Sequence, residues 1–204
     1  MPVHRSAAGL TGRSAVRFDH RPSVHLETAR LLMPPLSEQH TSALAEVYDD
    51  PEVTRYIGGA ALDADGTAAQ VARFEAVWRE YGFGQCALID RETGALLGRA
   101  GLHPWPQWEE VELGYVLARR AQGRGLATEA ARAWLDVASE TLALDRLTAV
   151  IHPDNAPSRA LAAGLGFRVH RDDVTPAGVP VLVYELPRPS GRTSRPIARW
   201  ASGA

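Results

Sequence analysis

The stretch Glu112-Leu-Gly-Tyr-Val-Leu-Ala-Arg-Arg-Ala-Gln-Gly-Arg-Gly-Leu-Ala-Thr-Glu-Ala130 decides the fold. Its first part alternates in the manner of a strand and ends near Leu117. A short arginine-bearing connection follows, then a glycine-rich turn, then a helix expected from Gln122 to Thr141. Gly123 and Gly125 carry no Cβ, so a ligand can approach their backbone closely. The first turn of a helix presents unpaired N–H groups and the positive end of its dipole. Arg119, Arg120 and Arg124 add charge. Together these suit a phosphate or pyrophosphate. The plainer alternative is a strand-to-helix turn with glycine for packing.

Outward from this stretch, helices and strands interleave. On the N-terminal side the pattern predicts a strand at Ala29 to Met33. A helix follows from Ser37, with Leu44, Val47 and Tyr48 on one face, and Pro51 restarts a helical turn. A second amphipathic helix is expected from Thr67 to Tyr81. The period then changes to two, giving strands at Gly84 to Asp90, Leu96 to Leu102 and Glu109 to Leu117. Beyond the long helix come a strand at Arg146 to His152, a helix at Asn155 to Leu165, and strands at Phe167 to Asp172 and Pro180 to Leu186. This is a mixed α/β (α+β) arrangement of helices on one sheet. Residues 1–24 and 188–204 lack periodicity and read as flexible arms around one domain at 25–187.

Composition excludes several classes. The 204 residues suffice for one substantial core. The formal charge of −2 gives no electrostatic reason to expect a nucleic-acid or membrane partner. The arginines of the C-terminal arm are the only RNA-like feature, and a solvated tail is the preferred reading. A single cysteine, Cys86, allows neither an internal disulfide nor a cysteine zinc cage, so no metal is expected. All 22 basic residues are arginine. Without lysine there is no Schiff-base chemistry and no GxxxxGK[ST] phosphate loop. A dinucleotide fingerprint fails too, because Thr128 stands where G-x-G-x-x-G needs its third glycine. No apolar stretch spans a bilayer and no secretory signal is evident, so a cytoplasmic protein is the simplest inference.

Gln122-Gly-Arg-Gly125-Leu-Ala127 resembles the Q/R-x-x-G-x-G/A signature of the GNAT N-acetyltransferases. Asn155, followed eleven residues later by Gly166-Phe167, matches a second landmark of that family. Glu27-Thr-Ala-Arg-Leu-Leu32, Asp50-Pro-Glu-Val-Thr-Arg-Tyr-Ile57, Gly94-Ala-Leu-Leu-Gly-Arg99, Glu112-Leu-Gly-Tyr115 and His152-Pro-Asp-Asn155 are similar to the ribosomal-protein N-terminal (Rim-type) branch. The resemblance implies a twisted mixed sheet of about seven strands, with helices on both faces. It also implies a splayed parallel strand pair that holds acetyl-coenzyme A as acetyl donor. The pantetheine arm would then pair with backbone at Tyr115, Val116 and Leu117. The diphosphate would sit on N–H groups of Gly123, Arg124, Gly125, Leu126, Ala127 and Thr128, near Arg119 and Gln122. Asn155 and Ser158 would meet the pantetheine, although Asn155 also suits a helix N-cap and Ser158 a helix surface.

The implied chemistry is direct attack of an amine on a thioester, with no acyl-enzyme. An alkylammonium, with a pKa near ~10.4, must first lose a proton. Strand alternation puts Glu112 and Gly114 on the face opposite Val111, Leu113 and Tyr115. A glutamate on a central strand is costly unless used or paired, so Glu112 is the candidate base; an ion pair with Arg99 is the alternative. Gly114 suggests a bulge whose N–H faces the developing oxyanion. Many family members protonate the leaving thiolate with a tyrosine seven residues after the asparagine. That position is Ala162 here, leaving Ser158, a water or Tyr115. His103, Trp105 and Trp108 either wall the acceptor cleft or plug the sheet edge, and Tyr56, Trp78 and Tyr81 read more simply as core. The acceptor is a protein N-terminus or a small-molecule amine, and a homodimer is compatible with the sequence. A non-catalytic acyl-coenzyme A sensor is the rival reading.

Overall fold

The computed structural model describes residues 26–57, 62–175 and 178–187. The two terminal arms therefore lie outside the described residues. The strands are β1 (Leu26–Glu27), β2 (Leu31–Met33), β3 (Gln85–Asp90), β4 (Leu96–Trp105), β5 (Glu110–Leu117), β6 (Arg146–Ile151), β7 (Arg168–Val174) and β8 (Pro180–Pro187). The helices are α1 (Thr41–Tyr48), α2 (Pro51–Thr54), α3 (Ala64–Tyr81), α4 (Leu126–Asp136) and α5 (Ala156–Gly164). One sheet takes all eight strands, in the order β1-β2-β3-β4-β5-β6-β8-β7. The strand beyond the expected seven is β1, two residues paired antiparallel with β2. Every neighbouring pair is antiparallel except β5 and β6.

The apolar pattern explains the layers. In α4 the buried residues Leu126, Ala130, Ala131 and Trp134 form one stripe at helical spacing. That stripe covers Ala100, Leu102, Val111, Leu113 and Leu117 on one face of the sheet. Trp134 is fully buried, and its indole N–H donates to the Ala100 carbonyl at 3.2 Å. The opposite face, at Ala87, Leu96 and Val116, is covered by Leu44, Val47 and Tyr48 of α1 with Val71 and Phe74 of α3. Each large apolar side chain so buried contributes about 1.5–3 kcal/mol.

Two expectations about the central segment need correction. The helix begins at Leu126, four residues later than Gln122. Gln122 is extended, and Gly123 and Gly125 sit at φ +72° and +77°, which no helical residue adopts. After Asp136 the chain continues to Thr141 as a wider π-type turn. Gly114 marks no bulge either, since β4 and β5 stay in register from Gly98–Leu117 to Trp105–Glu110.

Gly98 is where the sheet depends on a missing side chain. Its φ is +146°, and a Cβ there would stand 2.0 Å from the Val116 carbonyl oxygen. Backbone cannot yield as a flexible side chain can. Gly98→Ala is therefore expected to cost roughly 3 kcal/mol or more, read as a lowered urea midpoint.

Candidate active site

The parallel pair β5–β6 is joined at a single register position, Glu112 opposite Thr148. The Thr148 hydroxyl donates to the Val111 carbonyl at 3.3 Å at the same level. Beyond it, residues 113–117 of β5 remain paired with β4 but have no ladder partner on β6. The strands have parted, leaving one edge of β5 open at Tyr115, Val116 and Leu117. Extended backbone at an open edge can take another extended group as a strand takes its neighbour.

The glycine turn and α4 begin where that edge ends. Gln122 folds back, its side-chain N–H donating to the Leu117 carbonyl at 3.0 Å. The N-cap of α4 is Gly125, and no side chain caps this helix. The N–H groups of Leu126, Ala127 and Thr128 have no intrahelical partner by position. Leu126 is 1% exposed, so only its backbone can meet a ligand. Thr128 is half-buried and lines, with Gly125, Arg30, Glu129 and Arg132, a groove of about 590 Å³. Arg119 and Arg124 are exposed, Arg124 lying 3.7 Å from Asp90. Arg120 turns away, donating to the Leu96 carbonyl at 2.8 Å.

Sequence reasoning missed the brace under this turn. Arg30 donates to the Arg124 carbonyl at 2.8 Å and pairs with Glu129 at 2.6 Å. The Thr28 hydroxyl and the Arg30 backbone N–H donate to the same carboxylate. Burial acts to raise the pKa of Glu129, but these donors outweigh it and hold the group below its ordinary value. Glu129 thus stays ionised while tied to Arg30, which limits its repulsion of an anion at the helix mouth.

Across the gap, Asn155 is the N-cap of α5 and its side-chain oxygen accepts the Ser158 N–H at 3.2 Å. The capping alternative therefore holds, and the carboxamide NH2 is not the group used for it. The Tyr115 hydroxyl donates to the Ser158 carbonyl at 3.3 Å, bringing both hydroxyl residues to one end of the gap. Burial raises the pKa of the Tyr115 phenol, so it stays protonated at neutral pH. Ala162 is 3% exposed and packs in the core.

Glu112 lies on the face predicted by alternation. The alternative, an ion pair with Arg99, is not formed: Arg99 instead donates to Tyr48 at 2.6 Å and Gln85 at 2.9 Å. The partner of Glu112 is Trp105, whose indole N–H donates to Oε2 at 2.8 Å. Burial raises the pKa of Glu112, opposed by the Trp105 bond, the charge of Arg99 and the Val150 backbone N–H. A carboxylate with a raised pKa beside an open strand edge is suited to accept a proton.

The aromatic residues sort out as follows. Trp105 lies tilted against Trp108 at 5.1 Å and meets His103 edge-on at 4.7 Å, so the three rings form one cluster beside Glu112. Tyr56 lies 5.1 Å from the His152 ring, next to the Asn155 turn, and is half-buried rather than core. Trp78 and Tyr81 pack against the α4-side core, as expected. Burial raises the Cys86 thiol pKa, and the residue is 0% exposed, so it is not an available nucleophile. Among the described residues no His, Cys, Asp and Glu cluster could hold a metal, and no helix is long and apolar enough to cross a membrane.

Comparison with known proteins agrees with this fold. The sequence matches the acetyltransferase (GNAT) domain family over residues 30–168, more than half of the chain. It is 28% identical over 145 residues to the uncharacterized N-acetyltransferase p20 of Bacillus licheniformis, covering 70% of this chain and 82% of that protein. The crystal structure of an acetyltransferase from Agrobacterium tumefaciens is similar at a TM-score of 0.71 and 30% identity, covering 87% of this chain and all of that one. RimL, a ribosomal L7/L12 α-N-protein acetyltransferase solved with coenzyme A, shares the fold at a TM-score of 0.67 and 15% identity, over 78% of this chain and 95% of that one. The chain belongs to the GNAT family of acetyl-coenzyme A-dependent N-acetyltransferases.

Proposed function

We propose that this chain moves the acetyl group of acetyl-coenzyme A onto a primary amine by direct attack. The observation that carries the reading is the uncapped mouth of α4 at the end of the open β5 edge, with Glu112 at the joined position where that edge begins. The helix mouth would take the diphosphate through the N–H groups of Gly123 to Thr128, and Arg119 would add charge. Residues Tyr115 to Leu117 would pair with the pantetheine, and the Asn155 carboxamide would reach it from the other side.

Glu112 takes a proton from the acceptor ammonium. The freed lone pair attacks the thioester carbonyl carbon, the tetrahedral intermediate collapses, and the C–S bond breaks. The nitrogen gives up its second proton as it becomes the amide, and that proton balances the one the departing thiolate takes up, so the products are an amide and a thiol. A thiolate leaves readily because its conjugate thiol has a pKa near ~8.5. The Ser158 and Tyr115 hydroxyls at that end are its candidate proton sources. Cys86 is buried, which favours this route over a covalent acyl-enzyme.

The acceptor is either a protein N-terminus, as in the named activity of the RimL neighbour, or a small-molecule amine. The unpaired thiol and the acetyl donor suit a cytoplasmic enzyme. Ala162, where many relatives carry a tyrosine, is the observation behind the rival reading of a silent acyl-coenzyme A sensor. A panel of amino acids, amines and peptides with acetyl-coenzyme A, read as free thiol, separates the two. An enzyme releases thiol with some acceptors at rates above acceptor-free hydrolysis. A sensor binds the donor and releases none.

A further inference from the structure

The face of the sheet covered by α1 and α3 holds a buried cation that the reaction above leaves unused. Arg99 stands mid-strand on β4 and is 8% exposed. Its Nε donates to Tyr48 and its NH1 to Gln85, and its guanidinium lies 5.0 Å from the Phe74 ring centroid. All three neighbours are neutral. The Tyr48 hydroxyl in turn donates a hydrogen bond to the Gln70 side-chain oxygen at 2.7 Å, so the chain of bonds ends on another neutral amide. Among the described residues no carboxylate comes within 4 Å of Arg99. Arg171 is the contrast, since it is bound to Glu110 at 2.9 Å. A guanidinium taken from water is costly without an anion, and neutral acceptors offset only part of that.

The position of this cation relative to Glu112 gives it a use. Arg99, Gly101 and His103 alternate on one face of β4, opposite Val116, Gly114 and Glu112 of β5. Two facing glycines therefore separate the Arg99 level from the Glu112 level. The point where a Gly114 Cβ would sit is 3.7 Å from Glu112 Oε1 and 3.8 Å from Gln85 Nε2. Because Arg99 engages the Gln85 oxygen, the Gln85 NH2 is the end turned to this hollow. The field of Arg99 reaches across it: its charge opposes the burial effect at Glu112, and at His103, whose pKa is lowered chiefly by burial, Arg99 and Arg73 add to the lowering. Glu110, next on that face, is taken up by Arg171.

Resting on the acetyl-transfer reading, we infer that the acceptor is an amino carboxylate, its carboxylate docked on Arg99 and Gln85 and its amine on Glu112. Arg99 has N–H donors beyond the two already bonded, and Gln85 supplies its NH2. The Arg99 side chain reaches the Gln85–Gly101 level, two residues from the His103–Glu112 level. At a strand rise of about 3.3–3.4 Å, amine and carboxylate are then about 7 Å apart or less. Amines bearing only positive charge are disfavoured by the same field.

The test compares acceptors that differ only in the anion. Amino acids of increasing length are set against their primary amides, and the dipeptide alanyl-aspartate against alanyl-asparagine. In the wild type each matching acid is expected to exceed its amide by about tenfold or more in kcat/KM. A preference confined to the free amino acids, or to the dipeptide pair, identifies the source of the carboxylate. Arg99→Gln should reduce the ratio towards one, chiefly through KM, and Arg99→Lys should restore part of it. Coenzyme A affinity should stay unchanged in both. Amides used as well as acids, or an unchanged ratio in Arg99→Gln, overturn the inference while leaving acetyl transfer intact. Thiol release with no member of either series overturns the acetyl-transfer reading itself. If Arg99→Gln does not fold, the wild-type ratio alone decides.

Discussion

Replacing Glu112 by glutamine is expected to lower kcat at pH 7 by about 10²–10⁴-fold, the range for loss of a general base. Coenzyme A affinity should be unchanged, because Glu112 side-chain contacts are to Trp105 and the Val150 amide rather than to the helix mouth. The pH profile supplies a second reading. Glu112 accepts a proton only when ionised, and burial raises its pKa. The acidic limb of wild-type kcat/KM should therefore lie above the ordinary glutamate value of about 4.3, and E112Q should lose it. Stability moves the other way. A carboxyl whose folded pKa is raised binds its proton more tightly in the native state than in the unfolded chain. Its stability contribution is fully present below the unfolded pKa and is lost as pH rises through the folded pKa. E112Q removes that loss, so at pH 7 the variant should melt no lower than wild type. Slow turnover with an unimpaired melt is what a functional cost looks like. Unchanged turnover would remove Glu112 from the mechanism.

Gly123→Asp is expected to weaken coenzyme A binding by about 100-fold, or ~2.7 kcal/mol, by placing a carboxylate where the diphosphate binds. Gly123 has φ +72° and nothing within 4 Å of a Cβ, so there is room for a side chain. Asp and Asn are the non-glycine residues that tolerate this left-handed conformation best. Gly123→Asn therefore serves as the neutral control of nearly the same shape. It should bind within a few-fold of wild type, and both variants should melt alike. Equal losses in the two would assign the effect to backbone or bulk and argue against a diphosphate at this turn.

Period-two alternation in β5 was enough to place Glu112 and Gly114 on the face opposite Leu113 and Tyr115, because each central strand residue must choose a layer. The α4 stripe was equally legible. The four-residue error at its start arose because Gln122 and Arg124 are good helix formers, while the φ of Gly123 and Gly125 is set by the turn. β1 escaped notice because two residues cannot show a period. The Arg99 partners were hidden for a different reason. Tyr48 and Gln85 lie 51 and 14 positions away in sequence, and only the packing of α1 and β3 against β4 brings them together. The Trp105–Glu112 bond was within reach, since the two residues flank one hairpin connection. Arg30 under the glycine turn was not, at 94 positions from Arg124.

The most direct test is titration calorimetry of the intact chain with coenzyme A and, separately, with pantetheine, which lacks the diphosphate and nucleotide. If the amides at the start of α4 hold the diphosphate, coenzyme A should bind at least about 100-fold more tightly than pantetheine, ~2.7 kcal/mol apart. Equal affinity for the two, or no heat with coenzyme A from well-folded protein, contradicts the account.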